Sequence, residues 1–157
     1  MIIAAWLVTA AIMVAIFMFS AEVAEKSSKT GEDFTYKAFS ISPSFRKLPE
    51  PRKIVIVDKA QFSVRKAAHF SIYTLLGISL SFSLMLTLKK RKLLWLFTQL
   101  SCMLYAVSDE FHQLFVPGRS CELRDVIIDS LGTALGIALF YLINFLLKKV
   151  SKRVLPF

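Results

Sequence analysis

Ser108-Asp109-Glu110-Phe111-His112-Gln113-Leu114-Phe115-Val116-Pro117-Gly118-Arg119-Ser120 is the polar stretch on which the reading of the fold turns. Before it, Leu93–Val107 carries no charge, and a helix begun there can continue to about Gln113. After it, Leu131–Leu147 is uncharged and extends back through Val126 with only Asp129 interrupting. Ionisable side chains at the boundary of a membrane are costly to desolvate, so a cluster of them there points to a task.

Working outward, Phe70–Leu88 and Ile2–Phe19 are also free of charge. The chain has 157 residues, of which 55% are hydrophobic, and its mean hydropathy is +0.58. A spanning helix needs roughly 20 mostly apolar residues, with about 17 as the lower bound. The expected fold is therefore all-α: one integral membrane domain over residues 1–157. Its four transmembrane helices fall at about 2–19, 62–88, 93–113 and 125–147, with a long polar loop at about 20–61. The first run has no basic residue before it and is too long for the core of a signal peptide, so it reads as a retained helix.

The formal charge of +9 does not point to nucleic acid. Lys89-Lys90-Arg91-Lys92 and the group Lys148, Lys149, Lys152 and Arg153 abut the ends of apolar runs, where cations meet lipid phosphates. By the positive-inside tendency both groups, and hence both termini, are expected in the cytoplasm. The basic residues between Lys26 and Lys66 count against this, but they lie in a stretch long enough to weigh less. Residues 20–64 and 108–124 then face outward.

Helical spacing gathers the polar residues. Lys66, His69 and Tyr73 share one face at the start of the second span, and Tyr105, Asp109 and His112 share one at the end of the third, with Gln113 beside Asp109. Glu110 turns about 100° away from Asp109. Asp125, Asp129, Gly132 and Gly136 follow one face of the fourth, where the two glycines allow close backbone approach. Pro117-Gly118 makes a tight turn that projects Arg119 toward the same end. All three sets fall at one membrane boundary, expected to be the outer one.

These residues resemble the VanZ-like family of bacterial membrane proteins. The resemblance lies in Arg65-Lys66-Ala67-Ala68-His69-Phe70 with Tyr73 and Leu76-Gly77, in Asp109–Gln113 with Val116–Ser120, and in Asp125, Asp129 and the Gly132/Gly136 pair. A weaker echo is Phe19-Ser20 with Ser27-Ser28. It implies a small multi-spanning protein of the cytoplasmic membrane of Gram-positive bacteria, linked to resistance to the glycopeptide teicoplanin. It does not settle a biochemical activity.

Three readings of the cluster follow. In the first it binds a lipid-linked cell-wall precursor or a lipoglycopeptide, with Lys66, Tyr73, Glu110, Gln113, Arg119, Ser120, Asp125 and Asp129 around the ligand. In the second it is an acid/base enzyme on a lipid or precursor headgroup, with His69, Asp109 and His112 as catalytic groups. Ser120 or water would then be the nucleophile, and Arg119 and Lys66 would hold a phosphate. In the third the polar groups only pack the helices together. His69, Asp109 and His112 could supply three metal ligands, but the nearby Lys66 and Arg119 repel a cation, so neither metal nor cofactor is expected. Membrane lipids are the expected surroundings. Cys102 falls in an apolar run and Cys121 in a loop, which disfavours a disulfide between them.

Overall fold

The computed structural model describes residues 1–88 and 92–154, and side chains as far as Lys149. Lys89, Lys90 and Arg91, and the side chains of Lys152 and Arg153, lie outside that description. Among the described residues there are six helices and no strand: α1 (Ile2–Ser20), α2 (Ala24–Phe39), α3 (Pro43–Arg46), α4 (Glu50–Thr87), α5 (Leu94–Gln113) and α6 (Leu123–Val154). The protein is an all-α membrane protein.

Three helices are long and apolar enough to cross a membrane: Ile2–Ser20, Glu50–Thr87 and, within α6, Leu123–Lys149. The fourth expected span, α5, has 20 residues, which at 1.5 Å per residue is about 30 Å. It falls short in composition, because Gln99, Asp109 and Glu110 dilute its apolar character. It nonetheless packs beside α4 and α6.

The stretch 20–61 is not the expected loop. It folds as α2, α3 and the first turns of α4. Its polar composition hid helices held by local pairing and a few aromatic contacts. Lys29 Nζ lies 3.0 Å from Glu25 one turn away. Phe45 is buried, with its ring centroid 5.8 Å from that of Tyr36 and 5.6 Å from that of Phe39. Pro51 sits in the first turn of α4, where its missing N–H costs nothing.

Successive long helices alternate in direction. Near the start of α1, Trp6 Nε1 donates to Thr87 at 3.0 Å, and Thr9 Oγ1 lies 2.8 Å from Ser79 Oγ and 3.0 Å from Ser83 Oγ, so α1 runs against α4. Farther along α1, Tyr105 donates to the Met13 carbonyl at 2.6 Å, and Ser20 donates to Asp109 at 2.6 Å. The end of α1 and the end of α5 therefore meet at the level of the first turns of α6. Ile16, Tyr73, Leu76, Leu80, Cys102 and Ala106 form the core between the helices. The outward faces carry large apolar side chains such as Ile3, Leu7, Leu104 and Phe145, as surfaces bathed in acyl chains require.

The seam between α4 and α6 is backbone against backbone. A Cβ on Gly77 would come within 2.7 Å of the Thr133 carbonyl oxygen. One on Gly132 would overlap the Phe70 carbonyl, and one on Gly136 the Thr74 carbonyl. In lipid, where burial of apolar surface no longer drives helix association, such close approach supplies the dispersion contact that does.

Candidate functional site

The three polar faces read from the sequence converge at one end of the bundle. Lys66 Nζ donates to Asp125 Oδ1 across the α4–α6 seam, with both side chains largely buried. One turn deeper, His69 Nδ1 lies 3.7 Å from Asp129 Oδ1. That separation exceeds a hydrogen bond, and both Asp129 oxygens and His69 Nδ1 are buried without a partner. Tyr73, fully buried below them, also has an unpartnered hydroxyl, and its ring centroid lies 6.4 Å from that of Tyr105. His69, Asp109 and Asp129 lie within charge–charge range of one another.

The Asp109–Gln113 segment is mostly committed to holding helices. Asp109 Oδ2 accepts from Ser20 at 2.6 Å, which ties α1 to α5. Gln113 Nε2 donates to Glu110 Oε1 at 2.9 Å and to Asp109 Oδ2 at 3.4 Å, bridging two buried acids on its own helix. Glu110 Oε2 accepts from the Glu122 backbone N–H at 2.9 Å, anchoring the chain as it enters α6. His112 stands apart: its ring packs 4.6 Å from Phe17, and its Nε2 is buried without a partner.

Arg119 is a staple between the α5–α6 connection and the α1–α2 turn. Its Nε donates to the Glu22 carbonyl at 3.1 Å, and Nη2 donates to the Phe19 carbonyl at 3.1 Å and to Ser27 Oγ at 2.9 Å. Gly118 makes this possible. Its φ of 76° is a left-handed conformation that L side chains rarely adopt, and a Cβ there would meet Ala24 at 2.9 Å. Burial, then the like charge of Arg65, pushes the Arg119 guanidinium below its ordinary value. An arginine so placed stays charged. Ser120 is exposed and reaches Glu122 at 3.4 Å, away from the convergent groups.

Beside the convergent groups opens a cavity of about 570 Å³. Ile16, Phe19, Phe34, Phe62, Val64 and Ile72 make its apolar wall. Glu22, Ser27, Asp58, Arg65, His69 and Arg119 supply its polar groups. This size and mixture of linings suit a small-molecule or lipid ligand. His69 is the link: it lines the cavity and backs onto Asp129. Among the described residues no group of three or more His, Cys, Asp and Glu side chains is placed to hold a metal ion. Cys102 is buried and Cys121 exposed, both as free thiols.

The VanZ/LLP1 family model matches residues 5–144, nearly the whole chain and every residue of this constellation. The chain belongs to the VanZ/LLP1 family. No curated protein and no solved structure matches it.

Within this VanZ-like membrane protein, then, His69, Tyr73, Asp109, Asp125, Asp129 and Lys66 come together as their spacing implies, and Arg119 reaches the same end. His112 and Ser120 do not join them. The sequence reading quoted Arg65 and Ser27-Ser28 for the resemblance alone, and the structure places both Arg65 and α2 on the cavity wall. A signal for α2 was present: Ser27, Gly31 and Phe34 fall at i, i+4 and i+7, and all three line the cavity.

Proposed function

We propose that this VanZ-like protein binds an amphiphilic ligand at the outer face of the cytoplasmic membrane, and that this binding underlies a link to glycopeptide resistance. The ligand is a lipid-linked cell-wall precursor or a lipoglycopeptide such as teicoplanin, and the host a Gram-positive bacterium. The observation that carries the reading is the cavity itself: aromatic and aliphatic walls continuous with arginines and a histidine, at the boundary end of the bundle. An apolar tail and a polar headgroup would each find their own surroundings there.

Ala68 lines the cavity, and its exposed position leaves the helix seams untouched. Ala68→Trp fills part of the space. Cells carrying wild type at matched membrane levels should tolerate teicoplanin better than cells carrying Ala68→Trp. Equal protection by the two would end the reading. For the orientation, a membrane-impermeant maleimide should label the exposed Cys121 on intact cells, while the buried Cys102 stays silent. Labelling only after lysis would invert the assignment of both termini to the cytoplasm.

A second reading has an observation of its own. Asp129 stands behind His69, whose opposite ring edge opens on the cavity. A shortening of this 3.7 Å separation to a hydrogen bond would give the carboxylate–imidazole arrangement of a general base, here one that would accept a proton from water attacking a headgroup. Mass spectrometry of membrane lipids from cells with and without the protein separates the two. A lipid species consumed only by the histidine-bearing protein, and not by His69→Gln, favours turnover; unchanged lipids leave binding.

A further inference from the structure

The cations of the site are not equivalent. Lys66 is paired with Asp125 in the α4–α6 seam. Arg65, its neighbour in sequence, is exposed on the cavity wall, and among the described residues no carboxylate pairs with it. It acts instead on Arg119 as a like charge. Arg119 uses Nε and Nη2 on the α1–α2 turn, which leaves its Nη1 group uncommitted. Glu22, Asp109 and Glu110 oppose the like charge of Arg65 on Arg119, but among the described residues none of them forms an ion pair with either guanidinium. Glu22 lies 3.1 Å from Lys26 Nζ, and Asp58 is seven residues before Arg65, about 10 Å along the helix. Two guanidinium groups line one cavity with His69 one turn beyond Arg65, a donor set suited to an anion.

The apolar floor of the cavity also leads somewhere. Ile16 and Ile72 belong to it, and one turn below them Ile12 and Leu75 line a second groove of about 500 Å³ along the α1–α4 seam. That groove continues past Ile78 to Phe82. From Ile72 to Phe82 the seam runs about 15 Å at 1.5 Å per residue. A single acyl chain fits such a track, with its head at the arginines.

We propose that the ligand is a single-chain anionic amphiphile whose phosphate-type headgroup is held by Arg65 and Arg119 and whose tail lies in the α1–α4 seam. The inference rests on the amphiphile reading of the cavity and assigns its ligand class and its selecting residue. Arg65 discriminates anionic from neutral heads; the groove between α1 and α4 discriminates tailed from tailless anions.

The test uses the full chain in phosphatidylcholine nanodiscs, titrated calorimetrically with dodecyl phosphate, butyl phosphate, inorganic phosphate and dodecanol, with empty nanodiscs as reference. Dodecyl phosphate should bind best. Arg65→Gln should weaken it roughly 10- to 100-fold, the loss expected for one charge-assisted contact, and Arg65→Lys should restore part. Leu75→Trp, at an exposed groove position, should weaken dodecyl phosphate and leave butyl phosphate unchanged. Unfolding midpoints of the variants should match wild type, because neither side chain is buried. Dodecanol binding as tightly as dodecyl phosphate, with Arg65→Gln without effect, would overturn the anion inference while the amphiphile reading stood. Inorganic phosphate binding as tightly as dodecyl phosphate would make the free anion the ligand and overturn both. No binding of any probe would also overturn both.

Discussion

Helix α4 has two seams of opposite kind. Against α6 it is packed through Gly77, Gly132 and Gly136, with carbonyls filling the space where side chains would stand. Its polar groups there are enclosed: Lys66 on Asp125, His69 over Asp129. Against α1 it packs partly through Thr9, Ser79 and Ser83, and the α1 and α2 side leaves a cavity of about 570 Å³ and a groove below it. Backbone approach at the glycines closes one seam, while the other keeps open space beside its contacts. The α4–α6 pair therefore serves as the frame, and the α1–α2 side as the surface that can accept a ligand.

The comparison can be broken at the frame first. Gly136→Leu drives a branched side chain into the Thr74 carbonyl, so α4 and α6 must separate. The expected loss is about 3 kcal/mol or more, read as a fall in the unfolding midpoint in detergent. A variant as stable as wild type would show that the seam is not held by close approach. Next comes Lys66→Met, which leaves Asp125 buried without its cation. Breaking a buried pair from one side costs about 3–5 kcal/mol, and the double variant Lys66→Met with Asp125→Leu should recover most of it. If the single variant is neutral, Lys66 is free for a ligand after all. The smallest effect belongs to the open side. Phe34→Ala trims an exposed cavity residue, so stability should change by no more than about 0.5 kcal/mol while ligand affinity falls. A large loss of stability there would make α2 part of the frame.

The helices long and apolar enough to cross a membrane were legible because their signal is local. Uninterrupted apolar runs at Ile2–Phe19, Phe70–Leu88 and Leu131–Leu147 need no knowledge of neighbours. α5 was legible as a helix, and its polar end blurs its standing as a span. α2 was misread because its composition is that of a loop; its helix is completed by packing on α4 and by Phe45 closing over Tyr36 and Phe39. In the site, spacing sufficed for Lys66, His69 and Tyr73 and for Asp125 and Asp129, since residues three and four apart on a helix share a face. It did not suffice for Arg119, whose Nε and Nη2 hold Phe19, Glu22 and Ser27, partners that no helical spacing points to. Nor did it separate Arg65 from Lys66. Adjacent positions on a helix point about 100° apart, and which of them meets Asp125 depends on where α6 lies.

By itself the sequence determined that this is an all-α membrane protein, that Lys66, His69, Asp109, Asp125 and Asp129 collect at one end, and that Gly132 and Gly136 mark a close helix contact. Those properties are set by hydropathy and by the period of a helix, which a linear chain carries in full. Only the tertiary structure decided which charges pair with each other and which line the cavity. Lys66 and Asp125 are 59 positions apart, and Arg119 and Phe19 are 100 apart. Pairing over such distances follows from how the helices pack, and packing is a property of the assembled bundle rather than of any one segment.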